Sequence, residues 1–367
     1  MYRERYQVNY HLVLTRKCNL NCQYCHGGEE AGQETEIQYS LDELDAFLKK
    51  DDDLQLMLYG GEPTLRIPLI TQLMDRYPQA RFMLQTNALL LNHIPEDYVK
   101  RFHSILISID GPEIVTDKYR SKGVYKKVIE NTHWLEQIGY KGDIVARMAI
   151  SQESDIYQDV THLLDLKKPR FKHIHWQLNA IWDAEGNWQD FDNWVEESYN
   201  PGITRLVEKW VDGLKHGYVD GVVPFIPITY SLLTGEPSTL RCGSGIDTFA
   251  VHVNGSIGVC PISQDWEFSI VGDIWKSNPN SLRNTMKVDE PCPSCEEYST
   301  CGGRCLFTNK QRLWGEEGYK KVCTTVTHLT STLRQQIPKI EGFISEGVVS
   351  LSDFKYPEFN NGCEIIP

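Results

Sequence analysis

Arg16-Lys17-Cys18-Asn19-Leu20-Asn21-Cys22-Gln23-Tyr24-Cys25-His26 sets three cysteines in a C-x3-C-x2-C spacing, directly after an apolar, β-prone run from Gln7 to Thr15. Three thiolates so spaced can hold three irons of a [4Fe-4S] cube and leave the fourth iron open to another ligand. A zinc knuckle competes with that reading, because zinc takes four ligands and His26 adjoins Cys25. A disulfide framework is disfavoured: the chain has 11 Cys, an odd number, and no charged-then-apolar leader precedes Cys18.

Outward from this stretch, six apolar segments recur with helical patterns between them: Gln7 to Thr15, Leu54 to Tyr59, Arg81 to Thr86, Ser104 to Ile109, Asp143 to Ile150 and Phe171 to Leu178. Alternating strands and helices imply parallel pairing through right-handed crossovers. The clearest helix follows Ser40, where Ser40 and Glu43 form a capping box and Leu41, Leu44, Phe47 and Leu48 share one face. The pattern predicts an α/β fold, a partial (β/α)6 TIM-like barrel open on one side. The unusual residues support it. The cysteines follow strand one, Gly60-Gly61-Glu62-Pro63 strand two, Thr86-Asn87 strand three and Ser108-Ile109-Asp110-Gly111 strand four, while Arg147 lies within strand five. Barrel enzymes build their sites at the carboxyl ends of the strands.

Length and charge narrow the function. At 367 residues the chain is long enough for a large domain and a smaller appendage. The formal charge of -13 argues against a nucleic-acid partner. The one basic stretch, Lys167 to Lys172, reads as a solvated loop. No apolar run reaches the roughly 20 residues that span a bilayer, so no membrane partner is expected and the location expected is cytoplasmic.

The cysteine spacing, with Tyr24 before the last thiol, resembles the radical S-adenosylmethionine (SAM) enzymes. The resemblance implies that SAM chelates the open iron of the cluster on Cys18, Cys22 and Cys25, and that one electron splits it into methionine and a hydrogen-abstracting 5'-deoxyadenosyl radical. It implies that Gly60, Gly61 and Glu62 receive the SAM amino group. Asn87, Ser108 and Arg147 match the positions that hold ribose and carboxylate in relatives, and an Arg fork suits a carboxylate because it donates two parallel hydrogen bonds. Ala88 stands where many relatives carry Gly.

The remaining cysteines are patterned as well. Cys242 is followed by twelve residues, Gly255, four more and Cys260; then come Cys292-x2-Cys295-x5-Cys301-x3-Cys305 and, after seventeen more, Cys323. A zinc ribbon on Cys292, Cys295, Cys301 and Cys305 is one reading. The arrangement is similar to the SPASM domain, which implies two auxiliary [4Fe-4S] clusters and three in all. By matching position, Cys292, Cys295, Cys301 and Cys323 hold the outer one, while Cys242, Cys260 and Cys305 hold the inner one and leave it a ligand short. Asn254-Gly255 between two β-prone runs predicts a type I' hairpin with Cys260 on a rigid strand.

The expected organisation is therefore a radical SAM partial barrel over 1–235, a SPASM domain over 236–330, and a C-terminal helix and tail over 331–367 containing Cys363, with the helix near Thr324 to Ile344. The resemblance points to a peptide- or protein-modifying enzyme, a peptide maturase related to anaerobic sulfatase-maturing enzymes, acting on a peptide or protein and forming a thioether or other crosslink. An electron donor such as flavodoxin or ferredoxin is implied. A leader-binding module needs roughly 80 residues and does not fit before Cys18, so leader recognition is expected to be absent, housed elsewhere or supplied by a separate protein. Sulfatase maturation itself is disfavoured, because Thr248 and Pro261 stand where that branch has a Cys and an Asp. A haem-precursor decarboxylase and a non-enzymatic electron carrier are the alternatives; a carrier has no need of the Gly60 to Pro63 element. No catalytic base is assigned.

Overall fold

A computed structural model describes residues 8–25, 34–51, 53–180, 188–356 and 366–367. His26 and Cys363 lie outside them. Six parallel strands and their helices follow the expected order: β1 (Asn9–Val13), α1 (Leu41–Leu48), β2 (Gln55–Tyr59), α2 (Ile67–Arg76), β3 (Arg81–Thr86), β4 (Phe102–Ser108), α3 (Glu113–Arg120), α4 (Val124–Gln137), β5 (Asp143–Ile150), α5 (Ile156–Asp165) and β6 (His173–Leu178). The Ser40 capping box forms, with Ser40 Oγ accepting from the Glu43 amide at 3.2 Å and Glu43 Oε2 accepting from the Ser40 amide at 2.8 Å.

Two-residue periodicity divides each strand between two environments. One set, including Tyr10, Leu12, Leu56, Leu58, Phe82, Leu84, Ile105, Ile107, Ile174 and Trp176, joins the main core under the helices. The alternate set forms a separate small cluster of Met57, Met83, Leu106 and Val145. The register aligns His11 with Met57 and Ser108 with Arg147 and His175, so polar residues share that inner face.

Past β6 come α6 (Asn200–Gly213), α7 (Phe225–Thr234), strands β7 (Thr248–Val251), β8 (Ser256–Gly258) and β9 (Ile270–Asp273), and a long helix α8 (Gly315–Ser345). The sheet runs β6-β5-β4-β3-β2-β1-β7-β8-β9 and does not close on itself, as a partial barrel requires. β7 pairs parallel with β1 and antiparallel with β8, so the cysteine-rich region extends the barrel's own sheet.

Three local expectations are corrected. The hairpin turn is not type I': Gly255 has φ +82° but Asn254 is not among the positive-φ residues, whereas a type I' turn needs both. The Gly255 amide bonds His252 O at 2.9 Å, and the left-handed glycine follows that turn. Cys260 lies past the end of β8 in a bend rather than on the strand. The last helix begins at Gly315, not near Thr324, so Cys323 is helical and the expected boundary at 330 falls inside one continuous helix. Gly315 and Gly318 weaken its first turns as a sequence signal, and packing of Tyr319 and Val322 into the core overrides that weakness.

Candidate functional site

The cysteine loop is built onto the ends of its neighbouring strands. Gly60 (φ +147°) and Gly61 press against the backbone that leads into Cys18: a Cβ on Gly60 would stand 2.3 Å from Thr15 O, and one on Gly61 2.4 Å from Lys17 O. The close approach is sealed by bonds from the Gly61 amide to Thr15 O (2.9 Å) and the Glu62 amide to Lys17 O (2.8 Å). Contact thus requires both glycines, and conformation requires Gly60 as well.

Glu62 is 1% exposed. Its Oε1 accepts from the Thr64 amide (2.9 Å) and the Thr64 (2.6 Å) and Thr86 (2.7 Å) hydroxyls, and its Oε2 from the Asn87 amide (2.7 Å). Burial pushes its pKa up against the pull of these donors. Glu62 thereby ties the ends of β2 and β3 together. The Asn87 side-chain amide donates to Asn19 Oδ1 at 2.7 Å and lies 3.9 Å from Cys18 Sγ, so the end of β3 touches the cysteine loop directly.

The other flank of the loop rests on β4 and α3. Tyr24 donates its hydroxyl to Asp110 Oδ2 at 2.7 Å, and the Gln23 amide donates to Tyr119 O at 2.9 Å. Asp110, fully buried, also takes a two-pronged contact from Arg120 Nε and Nη2 (2.8 Å each) and accepts from the Ala149 amide (2.9 Å). Burial, with the Asp110 charge beside it, holds the Tyr24 hydroxyl well above its usual range. Cys22 is raised to about 11 by burial, with Arg120 drawing it down and Cys25 and Asp110 pushing it up. Arg147 engages His175 Nδ1 at 2.6 Å and Gln177 Oε1 at 3.2 Å across β5 and β6, and Ser108 stands beside it in register.

Sequence reasoning missed Asp110 and Arg120 as the support of the cysteine loop. Asp110 was visible in the Ser-x-Asp-Gly motif; Arg120 carried no signal, since its partner lies across a turn that only the tertiary fold defines. It missed Thr64, Thr86 and His175 as partners of Glu62 and Arg147. It also missed Arg16, which donates to both carboxylate oxygens of Asp265 at 2.9 Å and joins the start of the cysteine loop to the segment after Cys260.

In the C-terminal region Cys292 and Cys305 are buried, Cys242, Cys260, Cys301 and Cys323 half-buried, and Cys295 exposed. Cys292, Cys301 and Cys323 lie close enough to act on one another electrostatically, as does Cys295 on Cys323. Burial first, then these neighbours, raises Cys301 to about 11. Tyr319 OH contacts Cys292 Sγ at 3.0 Å and the Asn309 amide reaches the same sulfur at 3.5 Å. Cys305 packs with Phe307 against Ile262, Trp266 and Phe268. Thr248 is buried in β7, where its hydroxyl accepts from Asn9 Nδ2 at 3.4 Å.

All ten described cysteines are free thiols, a soft donor set suited to iron-sulfur clusters. Among the described residues no three His, Cys, Asp or Glu side chains converge as one metal ion would need. A cube takes one thiolate per iron and so asks for wider separation. The clustered Cys18, Cys22 and Cys25, with the Leu20 amide 3.4 Å from Cys18 Sγ, fit such a group.

Residues 12–166 match the Radical SAM superfamily. An uncharacterised protein, MJ0907 of Methanocaldococcus jannaschii, is 33% identical over 113 residues, 28% of this chain and 40% of that protein. The cysteine-type anaerobic sulfatase-maturating enzyme of Clostridium perfringens (strain 13 / Type A) is 20% identical over 323 residues, 78% of this chain and 85% of the relative. Native anSMEcpe, solved with bound AdoMet and Cp18Cys peptide, superposes with a TM-score of 0.72 at 17% identity, over 91% of this chain and 99% of that one. The likeness of fold therefore extends through the cysteine-rich C-terminal region. The chain carries a radical SAM domain and is an enzyme, with SAM and an iron-sulfur cluster as the cofactors of that domain.

Proposed function

We propose that this radical SAM enzyme modifies a peptide or protein, abstracting hydrogen from an unactivated carbon of its substrate. The observation that carries the reading is the meeting of the cysteine loop, Gly60 to Glu62, Asn87 and the Tyr24–Asp110 contact at the carboxyl ends of β1 to β4, where a barrel enzyme builds its site. Cys18, Cys22 and Cys25 would hold the cluster; Tyr24, Gly60, Gly61, Glu62, Asn87, Ser108 and Arg147 would hold SAM. When bound, the cluster supplies the electron that splits SAM into methionine and the 5'-deoxyadenosyl radical. Among the described residues Glu62 Oε2 accepts from a single donor, which leaves a lone pair for an ammonium. Arg147, steadied by His175 and Gln177, would present its guanidinium fork to the SAM carboxylate.

The peptide class is supported by the fold shared with an enzyme solved with a peptide bound. The ten patterned cysteines support two further clusters, on Cys292, Cys295, Cys301 and Cys323 and on Cys242, Cys260 and Cys305. With three cysteines for the inner set, a substrate thiolate can complete its ligands, which favours thioether formation among the crosslinks. A flavodoxin or ferredoxin would deliver electrons, and a separate protein would bind any leader. The division at 235 and the cytoplasmic location belong to the same proposal.

The test is anaerobic reconstitution followed by SAM and a reductant, with deuterated peptides from neighbouring short reading frames. Expected are 5'-deoxyadenosine and deuterium transfer into it from one peptide. Tightly bound zinc with no iron would refute the radical reading, and a co-purifying Soret band with no transfer from any peptide would replace the peptide with a tetrapyrrole.

A further inference from the structure

Arg304 sits in the three-residue span between Cys301 and Cys305 and is 6% exposed. Its Nε has no hydrogen-bond partner, its Nη1 makes one long contact to Thr308 Oγ1 at 3.5 Å, and among the described residues no carboxylate forms an ion pair with it. A guanidinium removed from water needs a counter-charge. Among the described residues the other buried arginines, all in the barrel, each have a counter-charge or a bonded partner within the protein: Arg16 has Asp265, Arg120 has Asp110 and Arg147 has His175 and Gln177.

The backbone holds Arg304 in this position against its own preference. Gly302, Gly303 and Arg304 have φ of 71°, 96° and 52°, a run in the left-handed region that a non-glycine residue adopts at a cost. Gly302 is pressed against Thr239 O and Gly303 against Val288, so the turn is fixed from both sides. The crevice beside the guanidinium, lined also by Thr308, Trp314, Tyr319 and Val322, has about 10 Å³ of free space. That is room for a single water at most, not for an anionic substrate. What does lie near is the thiol set. Arg304 follows Cys301 by three residues, and the crevice it lines is shared with Val322, the neighbour of Cys323. Tyr319 and Asn309, from the same neighbourhood, direct their polar groups at Cys292 Sγ.

We propose that Arg304 is the counter-charge of an anionic iron-sulfur cluster on Cys292, Cys295, Cys301 and Cys323, and that with Tyr319 and Asn309 it poises that cluster to accept an electron. The inference rests on the cluster assignment proposed above. An oxidised cube on four thiolates is a dianion, and one added electron makes it a trianion with no bond made or broken, so a fixed cation and donors to the sulfur favour the reduced form. Arg304 acts through the cluster and is a positioning residue, not a catalytic one.

The test compares the full-length reconstituted protein with Arg304→Gln and Arg304→Lys, by iron content and by titration with dithionite monitored by electron paramagnetic resonance. Arg304→Gln is expected to lower the reduced-to-oxidised ratio of one cluster about ten-fold at fixed potential, a shift of about 59 mV for one electron. Arg304→Lys is expected to stay within about two-fold of the parent, and Tyr319→Phe to shift the same signal in the same direction by less. Loss of that cluster's iron in Arg304→Gln but not in Arg304→Lys would also support the charge role. Unchanged potentials in Arg304→Gln with full iron would overturn the inference and leave the cluster assignment standing, and loss of iron in both variants would overturn it in favour of packing. A parent protein with iron at Cys18, Cys22 and Cys25 only would remove the cluster assignment itself, and the inference with it.

Discussion

The two cysteine regions solve the burial of charge in opposite ways. In the N-terminal loop Cys18 and Cys25 are exposed, and the nearby buried cation, Arg120, is matched within the protein by Asp110. In the C-terminal region Cys292 and Cys305 are buried, and the nearby buried cation, Arg304, has no carboxylate partner among the described residues. The first arrangement is electrostatically complete before anything binds and leaves its thiols open on one side, as a site that must admit SAM and substrate requires. The second buries Cys292 beside a cation with no matching carboxylate among the described residues, as suits an outer cluster that exchanges electrons rather than binding substrate.

The sharpest way to break this contrast is to remove each set of thiols. Replacing Cys18, Cys22 and Cys25 with Ala is expected to abolish 5'-deoxyadenosine formation while the iron of the C-terminal region stays. Replacing Cys292 and Cys323 is expected to leave SAM cleavage measurable and to stop product formation on the peptide. Loss of SAM cleavage in both would show that the regions do not differ in role.

The matched pair should betray itself in stability. Asp110→Asn strands the buried Arg120 charge and is expected to destabilise the fold by about 3 to 5 kcal/mol in chemical denaturation, the usual cost of breaking a buried pair from one side. Tyr24 then loses its carboxylate, so SAM cleavage should fall too. A loss no larger than that of Arg304→Gln would erase the distinction between a paired and an unpaired cation.

A smaller effect is expected at the SAM side of the N-terminal region. Arg147→Ala removes a charge-assisted contact of roughly 1.5 to 3 kcal/mol and should weaken SAM binding about ten-fold or more, with iron content retained. Equal affinity for SAM by equilibrium binding would show that β5 does not contribute as assigned.

The smallest concerns pH. Asp159 in α5 packs against Gly111, its Oδ2 is buried without a hydrogen-bond partner among the described residues, and burial raises its pKa to about 8. Because the folded value exceeds the unfolded value near 3.9, the folded state binds the proton more tightly, and stability is lost as pH rises from about 4 through 8. Asp159→Asn should therefore flatten that slope and gain about 1 to 3 kcal/mol at pH 9, with little change near pH 4. An unaltered slope would mean that Asp159 is not the titrating group behind the Asp110 support.

Much of the barrel was legible because its signals are local. Six apolar runs with turn residues between them gave strands close to those observed, and Ser40 with Glu43 gave a helix start that needs only four residues to define. The cysteine, Gly-Gly-Glu-Pro, Thr-Asn and Ser-x-Asp-Gly elements stand at the carboxyl ends of β1 to β4, as their order in the sequence implies. What was illegible depends on residues brought together from afar. Arg16 and Asp265 are 249 positions apart, and no periodicity links them. Ala88, read as a small departure from Gly, adopts φ 62° and is fully buried, so the strain it carries was hidden in a residue that looks innocuous. The hairpin failed for a related reason: Asn-Gly marks a turn, but the His252 to Gly255 hydrogen bond decides which one.

The join between β1 and β7 has a consequence for how the chain is made. Asn9 and Thr248, which face each other across that join, are 239 positions apart. At ordinary translation rates the first strand waits on the order of tens of seconds for its outer neighbour to emerge. During that interval one edge of β1 offers unpaired amides and carbonyls to any passing strand, and the cysteine loop above it stands uncovered on the side later taken by Asp265. Nascent chains would thus be most vulnerable to aggregation, and most accessible to iron-sulfur delivery, in the same window. Slowing synthesis late in the message lengthens both, and a chain cut near residue 235 never leaves that state.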